Sequence, residues 1–509
     1  MNTAARGGQS ALPTYANARD RNDSVSSRLD ENTGDEAMDE RTVAQQLQQL
    51  VIDPLEIFSV DGSRLVADDA GTESPAPMHG DASNTAARES EPRAINTASD
   101  ATWDFLANAA QMFEQPAELS EITRADVDRG FDMQGYWWGG RAMQRRMYME
   151  YRRTAYPQYQ GVSHDVRSVL EQARAVDPTG KFYRFRYAAT GDRFRCKITH
   201  FQLRDLVWAT SSYDVFYWHA DGVQSWNPWL RRRQCVVARR EMPESFRLSA
   251  LCVDGGTVFA GDYNGRYFVK SLWADNGASA SGQLGDISDV GDIVNHVSPA
   301  CMRGRVSVAM NSGRVDVFDV HRATVIERSP FAWAVNCTAE GADGALACVV
   351  GDSTQGLLVD PRQGYRKVAQ LQGHSDYAFA CAISPDGRLV ATGSQDTSVR
   401  VYDVRWPREA AAVVCGNIGA MRVVRFSTCG RFLLAAEAAD YVHVYETPTF
   451  ECAQQVEFMG EVAGATFSPD ANCMFVGISD AVHADTLAEF TRISDPAHLD
   501  TQGFTRISA

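Results

Sequence analysis

Runs of alternating apolar and polar residues fill the chain from residue 181 onwards, separated by clusters of Gly, Asp, Asn and Ser. Alternation with a period of two is typical of β-strands with one buried face, and such clusters are typical of tight turns. Four runs recur, "RVDVFDV", "GLLVDP", "SVRVYDV" and "YVHVYET", and they place Asp319, Asp360, Asp403 and Glu446 at steps of 41, 43 and 43 residues. The pattern therefore predicts an all-β region of repeated units.

A repeat of about 40–45 residues with about four short strands is typical of the blades of a β-propeller. Solenoid repeats of this length contain helices, and these units show no helical pattern. The register extends backwards to "SSYDVFYWH" (211–219) and "YNGRYFVKSL" (263–272) and forwards to "DTLAEFTRI" (485–493). The prediction is a seven-bladed β-propeller over residues 181–494.

The ring of a propeller has to close, because an unpaired edge strand favours aggregation. The run "KFYRFRY" (181–187) precedes the first blade and is our preferred closing strand. The segment "GFTRIS" (503–508) is the competitor, so residues 495–509 are either a C-terminal tail or the closing strand.

The N-terminal part of the chain has a different composition. Residues 1–120 hold 21 acidic residues against 8 arginines, whereas the whole chain has a net charge of −16. A segment this acidic and this poor in aromatic residues cannot bury enough apolar surface to offset the entropy of ordering, so we predict a disordered acidic tail. Two islands, residues 41–52 and 103–113, have apolar residues at helical spacing and are either transient helices or partner-docking motifs.

Residues 121–180 are predicted to form an arm with a short helix. Its segment "FDMQGYWWGGRAMQRRMYMEYRRTAYPQYQ" (131–160) interleaves arginines with Trp and Tyr. Such a segment could stack on bases and neutralise phosphates, with "LRRRQCVVARR" (230–240) as a second basic stretch. We favour the alternative that the aromatic residues pack against the neighbouring domain, since no nucleic-acid-binding motif accompanies them.

One repeat, "GHSDYAFACAISPDGRLVATGSQDTSVRVYDVR" (373–405), resembles the WD40 family, whose blades run from Gly-His to Trp-Asp. Here Tyr402-Asp403 stands where Trp-Asp is commonest. Together with "FDMQGYWW", "ITHFQLRDLVWATSSYDVFY" and "GNIGAMRVVRFSTCGRFLLAAEAADYVHVYE", the chain looks like a little-characterised WD-repeat family of plants and fungi. That resemblance carries over no settled activity.

The WD40 resemblance implies a buried hydrogen-bonded chain within this blade. The matching positions are His374, Thr392, Asp396 and Tyr402. The rival interpretation makes Thr392 or Ser394 a nucleophile, His374 a base and Asp396 an orienting acid. We favour the structural network, because the chain has no G-x-S-x-G elbow and no evident oxyanion site.

No other chemistry stands out. The 11 cysteines form no C-x-x-C pair, and the histidines have no partner at ligand spacing, so we expect no metal, no cofactor and no enzyme activity. The cysteines are typical of a reducing compartment. Since no signal peptide or membrane-spanning run is evident, we expect a protein of the cytoplasm, the nucleus or both, without membrane contact.

In WD40 proteins, residues leading into each innermost strand line a partner-binding rim. By register these are Tyr377 and Phe379, then Arg422 in the next blade, and Asn336 with Trp333 in the preceding one. An exposed Tyr–Phe pair beside an arginine would form a binding site for a peptide; the alternative is that Tyr377 or Trp333 packs under a loop. The binding-site interpretation predicts that replacing Tyr377, Phe379 and Arg422 by Ala leaves the melting temperature nearly unchanged.

The function expected from the sequence is a non-enzymatic interaction scaffold or adaptor that presents a propeller surface to other proteins. The ending "VYDVR" (401–405) supports an alternative, because it is similar to the motif of WD40 proteins that dock on the damaged-DNA-binding adaptor of cullin ubiquitin ligases. Arg405 would make that contact. A nucleic-acid-associated factor is the third and least favoured class.

Overall fold

The computed structural model describes eight stretches of the chain: residues 121–138, 142–156, 159–191, 194–200, 202–273, 278–285, 292–479 and 485–493. The predicted acidic tail (1–120) and the C-terminal segment (495–509) lie outside these residues. The competing closing strand, 503–508, lies outside them too.

Within the described residues, three α-helices precede the repeats: α1 (Arg124–Arg129), α2 (Ala142–Ala155) and α3 (Val166–Gln172). Helix α1 begins after Thr123, whose backbone N–H donates to the Asp126 side chain at 2.7 Å, and ends at Gly130, which has a φ of 116°. Helix α3 begins after Asp165, whose side chain accepts from the backbone N–H of Arg167 at 3.0 Å.

The strands of the described residues are β1 (Glu121–Thr123), β2 (Tyr183–Thr190), β3 (Val207–Ala209), β4 (Val215–His219), β5 (Gly222–Asn227), β6 (Arg232–Ala238), β7 (Leu248–Asp254), β8 (Thr257–Asp262), β9 (Arg266–Ser271), β10 (Ser279–Gln283), β11 (Val294–Pro299), β12 (Arg305–Met310), β13 (Arg314–Asp319), β14 (Thr324–Pro330), β15 (Val335–Glu340), β16 (Ala347–Gly351), β17 (Gly356–Asp360), β18 (Arg366–Leu371), β19 (Ala378–Ile383), β20 (Leu389–Ser394), β21 (Ser398–Asp403), β22 (Ala412–Cys415), β23 (Met421–Phe426), β24 (Phe432–Glu437), β25 (Ala439–Glu446), β26 (Ala453–Phe467), β27 (Cys473–Ser479) and β28 (Thr486–Arg492). Short 3₁₀ helices cover Arg239–Glu241 and Pro361–Gln363.

Most of these strands form antiparallel sheets of four consecutive strands. Five sheets contain β3–β6, β7–β10, β11–β14, β15–β18 and β19–β22. The sixth has eight strands in the order β1-β2-β28-β27-β26-β25-β24-β23. Its long strand β26 pairs with β25 through its first half and with β27 mainly through its second half. Division of this sheet at β26 gives seven units, the number that the repeat period predicts, although the blade count stays a prediction.

The first strand of each sheet contacts the first strands of its neighbours, in the order β3, β7, β11, β15, β19, β23, β26 and back to β3. The apolar faces of adjacent sheets pack together, as where Val399 and Val401 of β21 share a core with Leu433 and Ala435 of β24. This is the packing of propeller blades, in which each sheet buries its faces against its neighbours.

The strand that completes the last sheet comes from the N-terminal side of the repeats. Strand β2, which contains most of the predicted run 181–187, pairs antiparallel with β28, and β1 pairs with β2 in turn. The preferred closing strand is thus the one that pairs.

The sheets have two distinct edges, because an antiparallel meander places alternate turns at opposite ends. At one end lie the turns between second and third strands and the links from each sheet to the next. We call this end the arm edge, because the arm contacts it. At the other end, the open edge, lie the turns between first and second strands and between third and fourth strands.

Candidate interaction surfaces

The four residues of the predicted network in the 373–405 repeat are connected by hydrogen bonds. The His374 ring bonds Thr392 Oγ1 through Nε2 at 2.8 Å and Asp396 Oδ2 through Nδ1 at 2.9 Å. The Tyr402 hydroxyl donates to the Gln372 carbonyl oxygen at 2.9 Å and also bonds the Thr392 side chain. Burial opposes ionisation of Asp396, but the nearby His374 ring holds the pKa of that carboxyl well below its usual range. The network joins a link, two strands and a turn of one sheet.

The hydroxyl groups proposed in the rival hydrolase interpretation are engaged inside the same sheet. Ser394 donates to the Tyr377 carbonyl oxygen at 2.9 Å, and Ser394 and Thr392 are both buried. A substrate could reach them only if the turn above were displaced.

The expectation of an exposed rim is wrong for three of its five residues. Phe379 and Arg422 are each only 5% exposed, and the Arg422 guanidinium stacks over the Phe379 ring at 4.1 Å. Asn336 is also buried, where its amide donates to Asp352 at 2.9 Å and to the Ala378 carbonyl oxygen at 3.2 Å. Residues that lead into an inner strand here point into the contact between sheets rather than outwards.

The other two rim residues are partly exposed and packed against glycine. A Cβ atom at Gly161 would lie 2.7 Å from the Tyr377 ring, and one at Gly351 would lie 2.5 Å from the Trp333 ring. Replacing Tyr377, Phe379 and Arg422 together would therefore lower the melting temperature, contrary to the expectation from sequence, because a large core side chain and its stacked cation would be lost.

The arm lies on the predicted rim. The buried Asp376 side chain accepts from the backbone N–H groups of Gly161 and Val162 at 3.0 and 2.9 Å. Arg152 of α2 donates to Asp440 of β25 through Nε at 2.7 Å and Nη2 at 2.8 Å. A segment of the chain thus occupies part of the arm edge.

The aromatic residues of the arm pack as the favoured interpretation required. Tyr136, Trp138 and Tyr148 are buried in one cluster with Ile418 and Tyr441 of the propeller. Arg145 pairs with Glu457 at 3.1 Å. The charges and rings that suggested nucleic-acid binding are in large part used within the chain.

Arg422 borders a small cavity beneath the arm. The cavity is lined by Tyr156, Tyr159, Gln395 and Thr397 among others. The Arg422 Nη2 group donates to Gln395 at 2.8 Å, whereas its Nε and Nη1 groups have no hydrogen-bond partner. Burial lowers the pKa of Arg422 to about 9. This cation is stacked and enclosed rather than presented to solvent.

The open edge presents the large apolar side chains that sequence reasoning missed. Trp273 is 80% exposed, Trp406 76% and Trp229 68%, each in a turn between a third and a fourth strand. Three more exposed residues lie in open-edge turns: Tyr213, Leu230 and Met302. Within the described residues, no exposed large hydrophobic side chain lies in an arm-edge turn or link.

Arginines accompany these apolar residues. Arg186 lies 5.9 Å from the Trp229 ring centroid, and Tyr213 packs edge-on against Trp229 with ring centroids 6.0 Å apart. Arg405 precedes Trp406 and its side chain is 60% exposed, but its Nε group donates to Asp403 at 2.8 Å. Arg405 is therefore accessible and also engaged in its own turn.

Two further features are absent from the described part of the chain. It contains no cluster of three or more His, Cys, Asp or Glu residues that could hold a metal ion. None of its helices has the length and apolar composition that a membrane span requires.

Comparisons with known sequences point to one fold. The family model "WD domain, G-beta repeat" matches residues 365–403. The "Uncharacterized protein C4G3.03" of Schizosaccharomyces pombe is 21% identical over 323 residues, which are 59% of this chain and 91% of that protein. The small ribosomal subunit protein RACK1 of the same yeast is 31% identical over 123 residues, which are 21% of this chain and 37% of that protein.

A comparison with solved structures agrees. A chain in the "Crystal Structure of Mitotic Checkpoint Complex" superimposes with a TM-score of 0.51 at 16% identity, over 63% of this chain and 98% of that chain. At this identity the likeness concerns the fold alone. The resemblance to a plant and fungal family stays a prediction.

Proposed function

We propose that this chain, which is a WD40-repeat β-propeller protein, acts as a non-enzymatic scaffold that binds other proteins through its open edge. WD40 propellers generally bind proteins, and the solved neighbour comes from a mitotic checkpoint complex. The observation that carries the proposal is the group of exposed tryptophans in open-edge turns, Trp229, Trp273 and Trp406. We place the protein in the cytoplasm, the nucleus or both.

Two properties of the open edge favour a protein partner. Trp and Arg are the residues that most often dominate the binding energy of protein interfaces, and here they are adjacent in the turns of Trp229 and Trp406. Burial of an exposed Trp side chain in an interface is also favourable, because it removes apolar surface from water. The arm edge offers less, since Asp376 and Asp440 already bind the arm.

The test compares full-length variants in affinity purification with quantitative mass spectrometry. Trp229→Ser, Trp273→Ser and Trp406→Ser should each reduce the recovery of a common set of partners, whereas Val368→Ser should not. Val368 is a matched control, because it is 55% exposed but lies on the outer strand β18. Recovery that is unchanged in all three tryptophan variants, or reduced equally in the control, would overturn the proposal.

Exposure of Arg405 and Trp406 favours a second candidate, a substrate receptor of a cullin-type ubiquitin ligase. Docking on the damaged-DNA-binding adaptor would require Arg405 to exchange its contact with Asp403 for one with the adaptor. Arg405→Ala should then remove the adaptor from the purified material, and Arg408→Ala, at another exposed position in the same turn, should not. Absence of the adaptor from the wild-type purification would exclude this candidate.

A further inference from the structure

Two cysteine side chains meet between the first strands of neighbouring sheets. Cys337 lies on β15 and Cys381 on β19, and their Sγ atoms are 3.7 Å apart. An S–S bond is about 2.05 Å long, so bridging them requires an approach of less than about 2 Å. Both side chains are buried, so the packing of the two strands holds them next to each other.

A histidine of a third sheet and an aspartate of the segment before β3 continue this arrangement. His296 of β11 places Nδ1 3.7 Å from Cys337 Sγ and Nε2 3.1 Å from Asp205 Oδ2. Arg425 of β23 donates to both oxygens of Asp205 at 2.7 and 2.8 Å. The residues form a continuous chain, from the thiol pair through the imidazole and the carboxylate to the guanidinium, where the first strands of the sheets face one another.

The surroundings shift the pKa values of the two thiols in opposite directions. Burial alone would lower the pKa of His296, but Cys337 and Asp205 raise it to about 10. The hydrogen bond from Cys381 holds the pKa of the Cys337 thiol below its usual range, and His296 lowers it further against the effect of burial. Burial raises the pKa of the Cys381 thiol. The Cys381 thiol and His296 therefore favour the thiolate form of Cys337, whereas burial favours the thiol form of Cys381.

We propose that Cys337 is a site of modification by hydrogen peroxide and that Cys381 is its resolving thiol. The inference is independent of the proposed scaffold function. The Cys337 thiolate attacks one peroxide oxygen and the O–O bond breaks, which gives a sulfenic acid at Cys337, while the departing hydroxide takes a proton from His296 to form water. The Cys381 sulfur then attacks the Cys337 sulfur, the S–O bond breaks, and the thiol proton leaves with the hydroxyl group as a second water. Two thiols are oxidised to one disulfide, and one peroxide is reduced to two waters.

Cys337 itself is buried, so a small oxidant would approach it from the side of His296. The side chains of His296 and Asp205 are 14% and 18% exposed, so solvent reaches both the imidazole and the carboxylate. Hydrogen peroxide is only slightly larger than water. Larger alkylating reagents should reach Cys337 more slowly than peroxide does.

The experiment treats reduced full-length protein with graded hydrogen peroxide, blocks remaining thiols, and maps each cysteine by mass spectrometry. We expect a Cys337–Cys381 disulfide to form while Cys252 stays reduced. Cys252 is a matched control, because it is buried on the first strand β7 and its thiol pKa is raised well above the usual range by burial. Oxidation of Cys337 no faster than that of Cys252 would overturn the proposal.

Three variants separate the roles. In Cys381→Ser, a sulfenic acid should persist at Cys337 and react with dimedone, whereas in Cys337→Ser the Cys381 thiol should stay reduced. In His296→Gln, oxidation of Cys337 at pH 7 should slow about tenfold or more, because the cation that favours the thiolate is lost. The rate should recover as the pH rises through the range of an ordinary thiol. An unchanged pH profile would exclude the positioning role of His296, and oxidation of Cys381 in Cys337→Ser would reverse the assignment of the two thiols.

Discussion

The two edges of the propeller differ in what covers them. At the arm edge, Asp376 and Asp440 receive hydrogen bonds from the arm, and the side chains of Phe379 and Arg422 are enclosed. At the open edge, tryptophans in the turns extend into solvent. The same antiparallel sheets therefore end in one surface whose buried carboxylates bind the arm and in another whose turns present exposed tryptophans. The arm contacts the second surface as well, where Arg231 pairs with Glu121 and Arg174 donates to the Thr449 carbonyl oxygen.

This difference shows that the register of a repeat does not by itself locate a binding surface. Positions equivalent to a partner-binding rim are available only if no other part of the chain binds them first. Here buried carboxylates of the sheets meet donors of the arm, and removal of a carboxylate or an arginine from such a site costs far more than the same change in solvent.

The largest effect is expected where the arm is joined to the sheet by an ion pair. Arg152→Met would remove the Arg152 guanidinium from the fully buried side chain of Asp440. We expect a loss of about 3–5 kcal/mol in the free energy of unfolding, since removing one partner of a buried ion pair is strongly destabilising. Urea denaturation measures it.

Arg153→Met is the matched control for this change. Arg153 is the next residue of α2 and pairs with Glu150 on the surface, where both side chains are about half exposed. Its loss should cost less than about 1 kcal/mol. Equally small losses in the free energy of unfolding for the two substitutions would mean that the contact with Asp440 does not stabilise the fold.

The repeats were predictable from the sequence because their signal is local and periodic. The spacing of Asp319, Asp360, Asp403 and Glu446 follows from one strand position recurring in each sheet. The arm contacts carry no such signal. Arg152 and Asp440 are 288 positions apart, and nothing in either local segment identifies its partner.

The open-edge tryptophans were missed for a different reason. Turns between strands have no hydrophobic period, so a single Trp there does not alter the strand pattern. A usable signal was nevertheless present: Trp229, Trp273 and Trp406 each follow a third strand, at a place where Gly, Asp, Asn or Ser is expected. A large apolar residue in a predicted turn does not pack in the core, whereas Phe379 inside a strand does.

A smaller effect at the arm edge should depend on pH. Burial and the nearby Arg204 and Arg422 lower the pKa of His200 from 6.5 to about 4. The backbone N–H of Gln202 also donates to His200 Nδ1 at 3.2 Å, which suits a neutral ring. Between pH 6.5 and 4 the unfolded chain binds the proton and the folded chain does not. His200 should therefore reduce stability as the pH falls through this window, by up to about 1.4 kcal/mol per pH unit.

The measurement is the difference between wild type and His200→Gln in urea midpoint across this pH range. The variant should lose the His200 part of the slope and converge with or exceed wild type toward pH 4. His321→Gln, a change at an exposed turn of the open edge, should keep the wild-type slope. Parallel curves for wild type and His200→Gln would show that neither burial nor the two arginines lower the pKa of His200 in the folded protein.

The smallest effect on stability is expected at the open edge. Trp406→Ser should change the free energy of unfolding by less than about 0.5 kcal/mol, because a side chain that is 76% exposed gives up little burial when it is removed. Phe379→Ala should instead cost about 3–5 kcal/mol, since it removes a buried ring and the surface on which Arg422 stacks. If Trp406→Ser were as destabilising as Phe379→Ala, its indole would be part of the core rather than of a free surface, and the two edges would not differ in the way that the scaffold proposal requires.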